Sequence, residues 1–394
     1  MKNIALVLAA ISLLIGCGGD NNNDNDKVIT EGSYAVQMVA ADYSSSQVAI
    51  GNILDDRSAT QGLLTQAESN FTISTYENYL YHIGKNKIDT IERFDTTQGV
   101  TSSEWTYGAN HDDEGSANTY TLLQQNATNG YLIRYGSTFV LQVNPSATIE
   151  ADFVKAKIDL SAYTVEGSTY PRMADAVIYQ DNLFVAMQRL DSSWTPEQAY
   201  IAVIDLETNE EVDTNTQLDG LKGIPLNANN TFSLVEHNGQ LYAAGRGNYG
   251  SDTGGLDKID ATTYAVTNLI DENSFPELNS TDDNTYYHVL DVAIVNDNLA
   301  YATLNIEQGY TTLETKIATI NPTTAALAVL TEPAELNTKE ISDINIDAND
   351  RLWLGIANAD APGILVMDTD TNTISGDFIE LDMPAKRIEF LTVQ

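Results

Sequence analysis

Aromatic and arginine side chains recur in the polar segments that separate the apolar stretches of this 394-residue chain. The set consists of Arg172, Arg189, Trp194, Arg246, Tyr249, Tyr286, Tyr287 and Tyr310. Aromatic rings stack on planar molecules, and guanidinium groups pair with anions and lie flat on rings. If the fold brings these side chains to one surface, they would bind a planar or anionic ligand. The alternative is that they are separate loop residues without a common site.

The densest run of metal-ligating residues is His111-Asp112-Asp113 with Glu114. A solvated acidic loop explains this run without a ligand. Calcium is the cation that these carboxylates and loop carbonyls would hold, but the run lacks the alternating Asp/Asn and closing Glu of a calcium loop. We therefore expect no cofactor, with calcium as the alternative.

Catalytic motifs are sparse. The four histidines form no short ligand pair, and His82 and His237 flank hairpin patterns, where a structural role is expected. The sequence has no Gly-x-Ser-x-Gly motif and no phosphate-binding loop. A Ser-His-Asp set assembled from distant segments stays open, so a metal-assisted hydrolase or lactonase is the alternative to a non-enzymatic binding protein.

The charge balance excludes a class of partner. The chain has 19 Lys and Arg against 56 Asp and Glu, a net charge of −37, with no basic cluster. Binding to nucleic acid or to an anionic membrane face needs such clusters. The acidity favours hydration outside the cytoplasm, with a calcium-loaded surface as the alternative. The single cysteine excludes a disulfide framework and a Cys-ligated zinc site.

The first residues are typical of an export signal. Met1 and Lys2 precede an apolar run over residues 4–15. This run is shorter than the roughly 20 residues that a membrane-spanning helix needs, so we predict a cleaved signal peptide over residues 1–16. The sequence Leu14-Ile15-Gly16-Cys17 resembles the lipobox of bacterial lipoproteins. That resemblance implies lipidation of Cys17 and, without Asp at position 18, retention in the outer membrane, facing the periplasm or the cell surface.

The next segment, residues 17–32, begins with an apolar-free Gly/Asn/Asp tract that could not contribute to a core. We predict that it is a disordered tether behind the lipid anchor. Residues 33–394 form the remaining unit.

This unit repeats. Short alternating strands, tight polar turns and strongly apolar second strands are followed by a third strand that ends in Asp or Asn, at positions 95, 144, 205, 260, 321 and 368. A fourth strand follows, as in Glu211-Val212-Asp213, and Asp55 marks a degenerate first member. Seven repeats of this length predict an all-β fold, a seven-bladed β-propeller of four-stranded antiparallel blades.

The two ends of the unit complement each other. The first repeat has room for three strands, whereas residues 387–393 form a strand pattern without a partner. We predict that this C-terminal strand pairs with the N-terminal blade and closes the ring, which removes two exposed sheet edges. Two separate β-sandwiches are the alternative.

The loop lengths predict where a ligand would bind. Connections between the first and second and between the third and fourth strands are tight. The others emerge on the opposite face and are long: residues 109–118, 163–172, 188–198, 245–255, 275–286, 305–313 and 358–363. Binding residues concentrate on such loops when a rigid scaffold holds them.

The strand Ala202-Val203-Ile204-Asp205, with Glu207-Thr208-Asn209 behind it, resembles the YVTN-type bacterial seven-bladed propellers. The resemblance covers about residues 33–394 and implies the fold more strongly than a function. Some lipoproteins of this type sit beside outer-membrane receptors and capture corrinoids, siderophores or other scarce compounds. It therefore implies a monomeric envelope protein that binds a small molecule, haem included, or a partner protein such as an outer-membrane receptor. A protein-interaction scaffold in envelope assembly is the further alternative.

Overall fold

Seven antiparallel sheets follow one another along the chain in the computed structural model, which describes residues 32–392 apart from 55–56, 112, 114, 217–219, 252–253 and 281–282. The predicted signal peptide, Cys17, nearly all of the predicted tether and the repeat position Asp55 lie outside the described residues. In chain order the strands are β1 (Ser33–Val39), β2 (Ser46–Asn52), β3 (Ala59–Gln66), β4 (Phe71–Tyr76), β5 (Tyr79–Gly84), β6 (Thr90–Asp95), β7 (Trp105–Gly108), β8 (Thr119–Asn126), β9 (Asn129–Arg134), β10 (Phe139–Val143), β11 (Val154–Asp159), β12 (Met173–Tyr179), β13 (Asn182–Met187), β14 (Tyr200–Asp205), β15 (Ile224–Pro225), β16 (Thr231–His237), β17 (Gln240–Gly245), β18 (Gly255–Asp260), β19 (Val266–Ile270), β20 (Thr285–Asn296), β21 (Leu299–Gln308), β22 (Thr311–Asn321), β23 (Ala326–Val329), β24 (Ile341–Ile346), β25 (Arg351–Ile356), β26 (Gly363–Asp368), β27 (Thr373–Ile374), β28 (Ile379–Glu380) and β29 (Ala385–Leu391).

Each sheet is one blade of a propeller ring. Blade 1 has the order β29-β1-β2-β3, and blades 2 to 6 are β4–β7, β8–β11, β12–β15, β16–β19 and β20–β23. Blade 7 is β24–β27, with β28 as an extra strand on β26. The innermost strands contact one another in the cyclic order β29, β4, β8, β12, β16, β20, β24 and back to β29. The predicted seven-bladed all-β propeller is thereby confirmed.

The connections include five short 3-10 helices: Thr96–Gln98, Glu150–Asp152, Ser161–Tyr163, Pro276–Leu278 and Ala334–Thr338. None of the helices in the described ranges has the length and apolar character that crossing a bilayer requires.

The strand sequences follow from their places in the blades. The second and third strands of a blade are covered on both faces by the neighbouring blades. Strands β13 and β14 are therefore apolar and almost continuously buried. The outer strand β11 alternates between less and more exposed residues because one of its faces is open to water. Hydrophobic clusters that span two blades fill the interfaces, such as the cluster containing Tyr163 of the blade 3 side and Tyr200 of blade 4.

The repeated Asp and Asn residues close the turns after the third strands. The Asp205 carboxylate accepts hydrogen bonds from the backbone N–H groups of Glu207 and Thr208 at 3.0 and 2.8 Å. Asp260 makes the same turn, and the hydrogen bond from the Thr263 N–H is the main reason why its pKa falls to about 2. These residues are turn devices, and their spacing reports the blade repeat.

The ring closes through the chain termini, as the sequence predicts. Strand β29 pairs antiparallel with β1, from Ser33 opposite Leu391 to Met38 opposite Ala385. Blades 1 and 7 pack there through Trp353, whose ring centre lies 4.7 Å from that of Tyr34 and 5.5 Å from that of Phe390. A single closed ring replaces the alternative of two β-sandwiches.

The outer strand of blade 4 differs from its prediction. Glu211 forms only an isolated bridge with Ile204, and β15 pairs with β14 farther along the chain. The Glu211 carboxylate accepts a hydrogen bond from the Tyr163 hydroxyl, which also accepts one from the Gly223 N–H at 2.6 Å. This buried tyrosine holds the segment at the edge of the blade without a regular strand.

The innermost strands surround a channel of about 960 Å³. Six of them carry a one-residue bulge, at Tyr120, Ala174, Phe232, Leu290, Ser342 and Lys386, whereas β4 pairs without one. A bulge turns the extra residue out of the pairing pattern. Phe232, Leu290, Ser342 and Lys386 line the channel.

Three aspartates that directly follow these bulges link neighbouring blades. The carboxylate of Asp175 accepts a hydrogen bond from the Leu234 N–H at 2.9 Å. Asp291 likewise accepts a hydrogen bond from the Ile344 N–H at 3.1 Å, and Asp343 accepts one from the Ile388 N–H at 2.8 Å. Burial raises the pKa of Asp175 to about 6 and also raises the pKa values of Asp291 and Asp343.

We expect Asp175 to make the stability of the propeller pH-dependent. Because its folded-state pKa lies above its unfolded value, its contribution is fully present below the unfolded pKa and is lost as the pH rises through about 6. Asp175→Asn keeps an acceptor for the Leu234 N–H without the charge, so it should be about 3 kcal/mol more stable than wild type near pH 8 and equal near pH 3. Chemical denaturation across this range measures the difference.

Asp205→Asn is the matched control, because hydrogen bonds from Thr208 lower the pKa of this exposed carboxylate. It should show no gain at high pH. Parallel stability curves for Asp175→Asn and wild type would contradict the assignment.

Candidate functional site

The exposed hydrophobic side chains gather on one face of the ring. Seven large ones are strongly exposed in the described part of the chain: Tyr43, Ile149, Trp194, Phe232, Tyr249, Tyr310 and Leu313. All except Ile149 lie around the end of the channel where the second-to-third strand connections and the connections between blades emerge. We call this the mouth face. Concentrated apolar exposure of this kind marks binding surfaces.

Five side chains from blades 2, 3 and 4 form a continuous stack on the mouth face. The rings of Tyr120 and Tyr135 are nearly parallel, with centres 4.7 Å apart. The Lys85 Nζ lies 5.4 Å from the Tyr120 ring centre, and the Arg172 guanidinium lies 5.2 Å from that of Tyr135. The same guanidinium also lies 4.8 Å from the ring centre of Trp194. We call these five residues the stacked row; each of its two cations lies against an aromatic ring.

The loop around Trp194 holds the ring in place. The Asp191 carboxylate accepts hydrogen bonds from the N–H groups of Ser193 and Thr195 at 2.7 and 2.9 Å. Trp194 has φ +64° and Arg172 has φ +63°, a region that costs a side-chain-bearing residue roughly 1–2 kcal/mol. Trp194 nevertheless remains 56% exposed. The loop therefore presents an indole ring to solvent above Arg172 at a conformational cost, which is typical of functional positions.

Gln188 supports the row from beneath. Its Oε1 accepts a hydrogen bond from the Tyr135 hydroxyl at 2.8 Å, and the residue is only 1% exposed. Burial raises the pKa of Tyr135 well above its ordinary value, with smaller contributions from the charges of Tyr120 and Tyr249. The phenol is a neutral donor at physiological pH.

A second cluster lies beside the row, on blades 5 and 6. The Arg246 guanidinium lies 4.0 Å from the Tyr249 ring centre, and the Tyr249 and Tyr310 rings are 4.6 Å apart. Arg246 is paired with the buried carboxylate of Glu307, and its carbonyl accepts a hydrogen bond from His288 Nδ1 at 2.6 Å. Burial lowers the pKa of His288. The charge of Arg246 is therefore already neutralised within the protein.

The long hairpin of blade 6 positions this cluster. Strand β21 has 10 residues, whereas β5, β9, β13, β17 and β25 have 6 each. The additional length extends the β21–β22 hairpin beyond the other blades and carries Tyr310 at its tip. Tyr286 lies half-buried on β20, opposite Glu307.

Two of the predicted residues lie beneath the surface. The Arg189 guanidinium is buried and donates to the carbonyls of Tyr163 and Gln198 at 3.1 and 2.8 Å. Tyr287 is also buried and donates its hydroxyl to the Asp271 carbonyl. Both side chains are used in packing the blades. The structure thus brings Arg172 together with Trp194, and Arg246 together with Tyr249 and Tyr310.

Sequence reasoning missed Lys85, Tyr120, Tyr135 and Phe232. Tyr120 and Phe232 are bulge residues, so a strict two-residue alternation misplaces them. Lys85, Tyr135 and Gln188 each follow the last residue of a second strand, as does Arg246. Aligning the repeats on their second strands would have identified these equivalent positions.

The structure describes some of the predicted metal-ligating residues and histidines. Asp113 pairs with the fully buried side chain of Arg134, while Asp112 and Glu114 lie outside the described residues and His111 is exposed. Within the described ranges, no three His, Cys, Asp or Glu residues form a group that could hold a metal ion. His82 is buried and stacks on Phe71 at 4.4 Å.

Structural comparison places the chain among seven-bladed propellers. Similar crystal structures include a protein from Lactobacillus plantarum (TM-score 0.60, 12% identity, 92% of this chain and 100% of that one). A putative 6-phosphogluconolactonase from Bacteroides uniformis has a TM-score of 0.59 at 11% identity, again over 92% and 100% of the two chains. The periplasmic gluconolactonase of Pseudomonas aeruginosa has a TM-score of 0.58 at 10% identity, over 93% and 100%. At such identities the likeness shows the fold alone.

No protein-family model matches this sequence, and the search of the curated proteins finds no match either. The YVTN-type resemblance therefore stays a prediction.

Proposed function

We propose that this protein is a binding protein of the cell envelope that captures a planar ligand on the mouth face. The observation that carries the proposal is the placement of six of the seven strongly exposed hydrophobic side chains around one end of the channel. Three of these six belong to the two groups: Trp194 to the stacked row, and Tyr249 and Tyr310 to the Arg246 cluster. Rings that are fixed by stacking bind with little loss of conformational entropy.

Capture is favoured over the two alternatives by the residues that converge. A lactonase or metal-assisted hydrolase would use carboxylates around a cation, and the channel aspartates instead accept backbone N–H groups of the next blade. A scaffold for envelope assembly would present a flat apolar face, whereas the β21–β22 hairpin and the Trp194 loop make this face uneven.

The proposal includes the address and the class of ligand. A lipid on Cys17 would hold the protein on the outer membrane as a YVTN-type lipoprotein. Ferric siderophores, corrinoids and haem are planar or anionic compounds that such a surface would retain for an outer-membrane receptor.

We expect Trp194→Ala to weaken the binding of such a ligand by about 1–3 kcal/mol, the range for an aromatic anchor. Stability should be nearly unchanged, because the ring is exposed and contributes little to the core. Isothermal titration calorimetry of the mature protein against ferric siderophores, corrinoids and haem measures the affinity.

Ile149→Ala is the matched control, since Ile149 and Trp194 are both 56% exposed but Ile149 lies in a third-to-fourth strand connection. It should leave affinity unchanged. A tight ligand that ignores Trp194→Ala would place the site elsewhere, and no binding by wild type would favour the scaffold.

A further inference from the structure

We propose that the ligand is a planar organic anion and that Lys85 and Arg172 bind its charged group. This inference rests on the function proposed above and adds the charge of the ligand and the residues that select it.

The first argument is the pairing of the cations. Three guanidinium groups on, or directly after, the inner and second strands pair with carboxylates: Arg134 with Asp113, Arg246 with Glu307, and Arg387 with Glu389. Among the described residues, neither Lys85 nor Arg172 has a carboxylate partner. The chain has 56 acidic and 19 basic residues, yet these two cations lie in one stack without an acidic side chain against them, and an anionic ligand would supply the negative charge.

The second argument is the environment of Lys85. Burial and, to a smaller extent, the positive charge of Arg387 together lower the pKa of this ammonium group to about 8. Lys85 is half-buried, and its ammonium group lies close enough to Arg387 to feel that like charge. An anion placed beside it would favour the charged form, and by linkage the charged form would favour the anion.

The third argument is a surplus of donors. Nε of Arg172 and Nε2 of Gln188 are buried and have no acceptor among the described residues. The Oε1 atom of Gln188 accepts a hydrogen bond from the Tyr135 hydroxyl, so the amide group cannot turn away freely. Lys85, Arg172 and Gln188 thus offer donors around the Tyr120–Tyr135 stack, and a carboxylate, sulfonate or catecholate would supply acceptors.

The channel below sets the depth of binding. Six acidic side chains line it against three basic ones, and two of the three basic ones, Arg246 and Arg387, are paired with carboxylates, so an anion that moved inward would meet a lining with more acidic than basic groups. The charged group is expected to stay at the mouth, with the planar part against the exposed rings.

The test uses two dyes that share one ring system. 1-Anilinonaphthalene-8-sulfonate is a planar anion, and N-phenyl-1-naphthylamine lacks the sulfonate. Fluorescence titration of the folded mature protein should give at least tenfold tighter binding of the sulfonate. Lys85→Gln and Arg172→Gln should each weaken sulfonate binding about tenfold, a larger loss than either causes for the neutral dye.

Lys87→Gln is the matched control, because Lys87 lies in the same connection, is exposed, and loses the same charge. It should bind both dyes as wild type does. Circular dichroism and melting curves verify that each variant is folded.

Equal affinity for the two dyes, or sulfonate binding that ignores both Lys85→Gln and Arg172→Gln, would overturn the anion inference. If Trp194→Ala still weakened both dyes, the capture proposal would stand without it. Absence of sulfonate binding would also overturn the inference. So would flotation of the delipidated protein with phosphatidylglycerol vesicles that is lost in Lys85→Gln, since this would identify a lipid surface as the occupant.

Discussion

Deletion of residues 385–394 is expected to prevent the chain from folding into a soluble propeller. This removes β29, so blade 1 loses its innermost strand and all the pairing between β29 and β1. The buried side chains of Ala385, Ile388 and Leu391 leave the core, and Asp343 loses the Ile388 N–H that it accepts. An open ring also exposes β1 as an edge. We expect aggregation on expression, measured by the fraction of soluble, monomeric protein on size-exclusion chromatography.

A permuted chain provides the control. Leu391 lies opposite Ser33, so residues 382–392 can be joined ahead of Gly32 through a short turn as a β-hairpin. This chain has the same strands with the break moved to the connection between blades 7 and 1. It should be soluble and melt within a few degrees of the intact protein. A truncated chain that melts like the intact one would show that β29 is dispensable for the ring.

Cys17→Ala is expected to move the protein almost entirely from the membrane fraction to the soluble envelope fraction, or to block its maturation. Each buried methylene of a lipid contributes about 0.8 kcal/mol to membrane binding, so a multiply acylated cysteine would be the dominant anchor. The net charge of −37 gives the rest of the chain no attraction to an anionic surface. Fractionation and labelling with a radioactive fatty acid measure the effect.

Gly19→Ala is the control for this change, because it alters the segment beside the cysteine without removing the thiol. It should stay in the membrane fraction. Incorporation of the labelled fatty acid into the Cys17→Ala protein would place the lipid on another residue.

The fold could be predicted because each repeat contains a turn that is stabilised by hydrogen bonds between residues close in sequence. Asp205 and its equivalents accept hydrogen bonds from residues two and three positions later, so the spacing of these turns counts the blades. The outer strand of blade 4 could not be predicted, because the position of Glu211 depends on a hydrogen bond with Tyr163, 48 residues away. The bulges at Tyr120 and Phe232 likewise depend on packing around the channel.

The loop lengths predict the face on which the exposed rings lie, but not which way each side chain is turned. Arg172 and Arg189 both lie in polar connections of blade 4, yet one stacks on the exposed Trp194 and the other donates to buried carbonyls. Tyr287 and Tyr310 differ in a similar way, because Tyr287 is buried and Tyr310 is exposed. Local sequence does not contain this difference, since it depends on which carbonyls and rings the neighbouring blade brings into reach.

The central claim is that the ligand binds on the mouth face, and fluorine NMR of protein labelled with 5-fluorotryptophan tests it most directly. The chain has three tryptophans; Trp353 is fully buried, Trp105 is nearly so, and Trp194 is exposed in the stacked row. Trp194→Phe assigns its resonance. We predict that the tightest ligand found by calorimetry shifts or broadens the Trp194 resonance and leaves the other two in place. A bound ligand that leaves the Trp194 resonance unchanged, or that shifts Trp105 or Trp353 instead, would contradict the account.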